Sequence, residues 1–211
     1  MRNPIPPSGY YLCNRLGRIY LESLEETIGR NGLNALLNLT ENGSYIDYPP
    51  PNDLHLGFDL ATAANLNQTM EFIYGPRGAR GLALRTGRAM YDCIVDAFDL
   101  PIGFNEFAFR LLPLHTRLKI GVPALARILT QHSDQTHRAV DRGTYYDYSI
   151  ERCAVCWGQE AKTPFCHLVA GLLQEALSAF GRGQEFRVVQ TECRAVGAAA
   201  CIFRIDKDPI A

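Results

Sequence analysis

Neither sign of charge dominates this chain. Its 21 Lys and Arg stand against 22 Asp and Glu, a net charge of −1. That excludes a global basic field able to hold nucleic acid or an anionic membrane. Long apolar runs are missing too: none approaches the ~18–20 residues of a spanning helix. The N-terminus, MRNPIPPSGYY, has prolines where a signal peptide would carry its apolar stretch. Internal repeats, low-complexity segments, a dinucleotide fingerprint and a flavin motif are all absent. The glycine-rich, basic stretch 75–81 lacks the Lys-Ser/Thr of a phosphate loop and reads as a turn with solvated arginines. No Ser/His/Asp or paired-carboxylate arrangement stands out. With 47% apolar and 20% charged residues over 211 positions, the expectation is a cytoplasmic globular protein with a real core.

Periodicity organises the rest. Leu12, Leu16, Ile19, Tyr20, Leu24 and Ile28 keep helical spacing over 12–28. Gly29 and Gly32 end that helix, and Leu33, Leu36 and Leu37 fit a short second one. Residues 40–58, with Asn42-Gly43 and Pro49-Pro50-Pro51, read as a loop. Helices are expected over 59–74, stopped by Gly75-Pro76, and over 82–98. The segment 105–131 is helical with breaks at Pro113 and Gly121-Val122-Pro123. Thr144–Ile150 alternates as a half-buried strand. Residues 166–180 carry an almost unbroken apolar helical stripe ended by Gly181 and Gly183. Residues 185–193 and 200–206 read as an antiparallel hairpin. Helices, then strands with one packed helix, point to an α+β fold. A mostly helical part over 1–143 and a cysteine-rich part over 144–211 complete one domain.

Seven cysteines are the informative excess. Cys13 and Cys93 stand alone in apolar patterns and read as small buried hydrophobes. Cys153, Cys156, Cys166, Cys193 and Cys201 cluster in the last third. A reducing compartment makes metal binding a better reading than a disulfide framework. Zn²⁺ takes four tetrahedral ligands, with thiolate its usual structural partner. Cys153-Ala-Val-Cys156 lets one tight turn present two sulfurs. Cys166, two residues after Pro164, is expected near a helix N-terminus, where the dipole favours thiolate. Cys193 ends one strand and Cys201 opens the next, so a hairpin brings both to one edge. Five sulfurs thus compete for at most four places. A redox CxxC usually opens a helix, and none follows Cys156.

Other chemistry is thinner. His167 follows Cys166 and is a fifth ligand or merely a neighbour of the site; His115, His132 and His137 share no motif with a carboxylate or nucleophile. Trp157, Tyr145, Tyr146 and Tyr148 lie near the cysteines and serve as core or as walls of an apolar cavity. A cavity is expected beneath the broken 105–131 segment, with Tyr146, Tyr148, His115 or Arg117 as polar fixing points.

Three strings carry a resemblance: Phe165-Cys-His-Leu-Val-Ala-Gly-Leu-Leu-Gln-Glu-Ala-Leu, Thr191-Glu-Cys-Arg-Ala-Val-Gly and Ala200-Cys-Ile-Phe-Arg-Ile. Together with Cys153-Ala-Val-Cys156 they resemble the 4-vinyl reductase domain family. Gly29-Arg-Asn-Gly-Leu-Asn-Ala-Leu-Leu-Asn-Leu39 is similar to stand-alone members associated with bacteriochlorophyll biosynthesis. The resemblance implies a twisted antiparallel sheet packed by helices, TRAPP-subunit-like, of the NO signalling/Golgi transport ligand-binding type, and commonly dimeric. It also implies an apolar small-molecule pocket. Sensor domains in this family hold structural zinc through three cysteines and a glutamate. The cysteines carry over to Cys166, Cys193 and Cys201, whereas the glutamate position falls on Gln190, a poor zinc ligand. Cys156 or Cys153 can take the open place.

The resulting expectation is a zinc-containing carrier or sensor of an apolar ligand such as a tetrapyrrole bacteriochlorophyll precursor, acting as a homodimer. Its alternatives are a vinyl reductase on a divinyl pigment and a ligand-free adaptor subunit.

Overall fold

The computed structural model describes residues 4–98, 109 and 111–210. Strand β1 (Tyr11–Cys13) leads into helix α1 (Asn14–Leu39), and the one-turn helix α2 (Ser44–Asp47) precedes strand β2 (Leu56–Asp59). β1 and β2 pair antiparallel. The stretch 40–58, expected as a loop, therefore holds two short elements. Neither is long enough to show a period, and β2 buries only Phe58. That ring lies where α1 has Gly17: a Cβ there would fall 2.3 Å from it.

Both long helices, α1 and α3 (Leu60–Ala97), bend at a glycine. Gly29 (φ 75°) and Gly75 (φ 70°) hold left-handed backbone that other residues avoid. Each bend separates two helical stretches, as the periodicity requires. Gly32, however, sits inside the second stretch of α1, and residues 76–81, expected as a turn, are helical. Gly75 absorbs the whole change of direction. Pro76 then opens the next stretch, where its missing N–H has no helical partner to lose.

Of the expected 105–131 segment, residues 105–108 and 110 lie outside the described ones. Helix α4 (Leu114–Gln131) follows Pro113 and runs unbroken through Gly121-Val122-Pro123, against the expected break. An internal proline costs ~3 kcal/mol. Against that, Leu118, Val122, Leu125, Ala126 and Leu129 are all buried, at ~1.5–3 kcal/mol for each large side chain. Gly121 is there for packing, since a Cβ would lie 2.7 Å from the Phe180 ring.

Strands β3 (Thr136–Asp141), β4 (Tyr145–Glu151), β5 (Phe186–Glu192) and β6 (Cys201–Pro209) form one antiparallel sheet in the order β3-β4-β6-β5. Central β4 buries Tyr146, Tyr148 and Ile150 on alternate residues. β3 had no such signature because it is an edge strand that buries only His137. Helix α5 (His167–Gly181) crosses α3 at backbone contact. A Cβ on Gly87 would fall 1.9 Å from the Leu168 carbonyl oxygen, and one on Gly171 would fall 2.1 Å from that of Leu84. The apolar core is continuous, from Leu16 and Leu24 of α1 to Phe203 and Ile205 of β6.

Candidate metal centre and the adjoining cavity

Four local structures deliver the five clustered cysteines. Cys153 and Cys156 lie on the loop after β4, Cys166 is the N-cap of α5, Cys193 follows β5 and Cys201 opens β6. Ladder pairing sets Ile150 opposite Cys201, which carries the CxxC loop to the hairpin. Sγ–Sγ separations are 3.9 Å for Cys153–Cys166, 3.4 Å for Cys156–Cys201, 3.8 Å for Cys166–Cys201, 3.8 Å for Cys166–Cys193 and 4.0 Å for Cys193–Cys201. All five are buried free thiols.

Sulfurs around a tetrahedral zinc at ~2.3 Å stand roughly 3.8 Å apart. The observed spacings fit that edge length. Cys153, Cys156, Cys166 and Cys201 in addition lie within 4.8 Å of one another. Packed thiols do not ionise independently. Hydrogen bonds from Cys153, Cys156, Cys166 and Cys193 pull Cys201 far down, whereas contact with Cys153, Cys156, Cys193 and Cys201 holds Cys166 well up. A bound dication favours the thiolates and removes this conflict. The Arg194 backbone N–H donates to the Cys201 sulfur at 3.5 Å. Gln190, at the position the resemblance gives to glutamate, accepts from the Cys166 backbone N–H at 2.8 Å. Its side chain thus positions the helix start that carries a sulfur.

Cys13 and Cys93 lie apart from the cluster, and burial raises both thiols. His167 is half-buried on the first turn of α5; desolvation and then Arg80 lower its pKa.

Next to the cysteine loop is a cavity of about 80 Å³ walled by α1, α3, α4, α5 and β4. Leu16, Tyr20, Met90, Ile94 and Leu172 make its apolar sides, and Ala154 and Val155, the two residues inside CxxC, close one end. Of the four expected fixing points only Tyr148 lines it. Tyr146 lies under Lys207, His115 is exposed and Arg117 is buried elsewhere.

Two polar partners of Tyr148 were not legible in sequence: Gln135 and His137. The Ala154 N–H needs an acceptor and finds the Gln135 Oε1 at 2.7 Å. The Gln135 amide nitrogen therefore faces His137 Nε2, at 3.4 Å, and donates to it. His137 Nδ1 then carries the proton and donates to the Tyr148 hydroxyl oxygen at 3.1 Å. Burial lowers the His137 pKa to about 3, so the ring is neutral, and burial raises Tyr148. The Tyr148 hydroxyl keeps one proton to donate at the cavity wall. Only the sheet register, which sets His137 opposite Ile150 and Ala139 opposite Tyr148, brings these side chains together.

A helix-covered antiparallel sheet with a thiol cluster beside an enclosed cavity defines the class of this α+β protein. Its C-terminal part is recognisable: residues 146–207 match the 4-vinyl reductase domain. Among solved structures the chain is similar to an Fe(II) unliganded H-NOX protein from K. algicida, at 12% identity, with 94% of this chain and 98% of the other covered and a TM-score of 0.55. A doubly substituted Tt H-NOX matches at 13% identity over 95% and 97% of the chains, with a TM-score of 0.53. A weaker likeness, TM-score 0.43 at 13% identity over 90% and 98%, is to trafficking protein particle complex subunit 3 from Naegleria fowleri covalently bound to palmitic acid. No curated protein matches. Among the described residues no helix is long and apolar enough to cross a membrane.

Proposed function

We propose that this chain binds a compact apolar molecule in the cavity beside the cysteine cluster and acts as its carrier or sensor. One observation carries the reading: an apolar chamber inside the fold whose single free polar group is the Tyr148 hydroxyl proton, aimed by His137 and Gln135. The ligand is thus an apolar body presenting one hydrogen-bond acceptor. A tetrapyrrole is several times larger than the 80 Å³ space. Such a pigment enters only if the helices of the N-terminal part move off the sheet. The 4-vinyl reductase domain match and the H-NOX-like fold support small-molecule binding.

In the same proposal the cysteines hold one structural zinc. Four thiolates close the coordination sphere, so the ion braces the cavity's end wall and has no open position for substrate. The proposal includes a homodimer through the N-terminal helices, supported by exposed Leu39, Phe72, Ile73 and Tyr74 on that part of the molecule.

Thermal unfolding with cyclohexanone, an apolar ring with one acceptor, and with a protochlorophyllide-type pigment tests the binding. A ligand that binds only the native state raises Tm in proportion to RT ln(1 + [L]/Kd). The expected result is a rise with cyclohexanone that Tyr148→Phe weakens ~3- to 10-fold in affinity, the value of one hydrogen bond. Should neither probe raise Tm nor change Trp157 emission at millimolar ketone or tens of micromolar pigment, the binding reading falls.

A further inference from the structure

Five buried sulfurs surround a site that four complete, and their arrangement decides how the surplus is used. Cys156, Cys166 and Cys201 form a triangle. Cys153 touches that triangle and completes a compact set of four. Cys193 also touches it, at 3.8 Å from Cys166 and 4.0 Å from Cys201, and shares a hydrogen bond with Cys156. Yet Cys193 stands outside the set in which all sulfurs are mutually close. A fifth point that meets one face of a tetrahedron without meeting its fourth vertex lies across that face. The five sulfurs are therefore the corners of two tetrahedra sharing the Cys156–Cys166–Cys201 face, with Cys153 and Cys193 at opposite apices.

We propose that these two tetrahedra are alternative seats for one thiophilic dication, in which Cys153 and Cys193 exchange as fourth ligand. This rests on the metal reading above. Regular tetrahedra with edges of this length have centres roughly 1.5 Å apart, too close for two ions to sit together. One ion passes through the shared face by exchanging one thiolate for another, and the displaced sulfur takes a proton as a free thiol. In the Cys153 seat the CxxC loop is held at both ends, and with it Ala154 and Val155 of the cavity wall. In the Cys193 seat that loop is held only through Cys156.

Cobalt(II) reads the ligand set, because its thiolate charge-transfer absorption scales with the number of bound sulfurs. The intact chain is expected to bind one Co²⁺ with four thiolates. Cys153→Ser and Cys193→Ser are each expected to keep all four, since the other apex takes the place. The double variant, and each of Cys156→Ser, Cys166→Ser and Cys201→Ser, should drop to about three-quarters of that absorption, three thiolates in place of four. If Cys153→Ser alone or Cys193→Ser alone already shows three thiolates, the set is fixed and the two-seat proposal is overturned while the metal reading stands. If the unaltered chain shows no thiolate band, both fall. Slow iodoacetamide alkylation of the zinc-loaded wild-type chain, mapped by mass spectrometry, tests the same point without any variant. Within the cluster, label divided between Cys153 and Cys193 is expected; label on one of them alone, or on the shared triangle, overturns the proposal.

Discussion

Gln135 joins the cysteine loop to the cavity, accepting from Ala154 N–H and donating to His137. Gln135→Leu leaves that buried N–H without an acceptor and is expected to cost ~1–3 kcal/mol. Urea unfolding measures it, and a change below ~0.5 kcal/mol, the surface range, would contradict the relay. His137 makes a pH prediction. Its folded pKa, lowered by burial to about 3, lies below the unfolded value of 6.5. The unfolded chain therefore binds the extra proton first. The contribution is complete above pH 6.5 and is lost as pH falls towards 3, with a slope of up to ~1.4 kcal/mol per unit. His137→Phe should flatten that slope in a pH series of unfolding curves. None of this was readable beforehand. His137 sits in a mostly exposed strand and Gln135 just before it, and nothing in their neighbours along the chain marks them as buried.

At the scale of elements, the helix crossing is the tightest constraint. Gly171→Ala drives a methyl into the Leu84 carbonyl of α3, at backbone rather than at a flexible side chain. A loss of at least ~1–3 kcal/mol is expected. Gly81→Ala is the control within α3: its Cβ would meet nothing within 4 Å, so it should stabilise by up to ~1 kcal/mol through helix propensity. Equal effects of the two in thermal unfolding would show that the crossing imposes no such constraint. The apolar stripe of α5 and the alternation of β4 were plain in sequence because each element buries one whole face. The α4 break was expected from Gly121 and Pro123, whose local preferences the buried face outweighs. β1, β2 and β3 went unseen because strands of three to six residues that bury one or two side chains leave no period.

For the whole molecule, the metal and the helical surface make separate predictions. If the cysteines carry zinc, stripping it with a strong chelator leaves mutually hydrogen-bonded thiols at the join of loop, helix and hairpin. Tm should fall by several degrees or more and return on adding Zn²⁺, since structural zinc binding is folding free energy. An unchanged Tm, or protein purified without chelator that holds no metal, would count against a structural ion. Phe72, 65% exposed, is the most exposed ring of the proposed dimer face. Phe72→Glu is expected to convert the dimer to a monomer by light scattering at micromolar concentration. A monomer before substitution would refute the homodimer.

Some of this was determined along the chain itself. Helical and alternating periods, and glycines at the two helix bends, are local, because each depends on neighbours within a few residues. So is the presence of five cysteines where elements begin and end. The meeting of those five sulfurs was expected only in outline, from a turn, a helix start and a hairpin. Their order in space, with three shared and one on either side, came from the register that sets Ile150 beside Cys201 and from Gln190 holding the start of α5. The cavity and its Tyr148–His137–Gln135 relay belong wholly to the tertiary structure. A chamber is space between elements, and which side chains face it is settled by how helices and sheet pack, which no single stretch of sequence encodes.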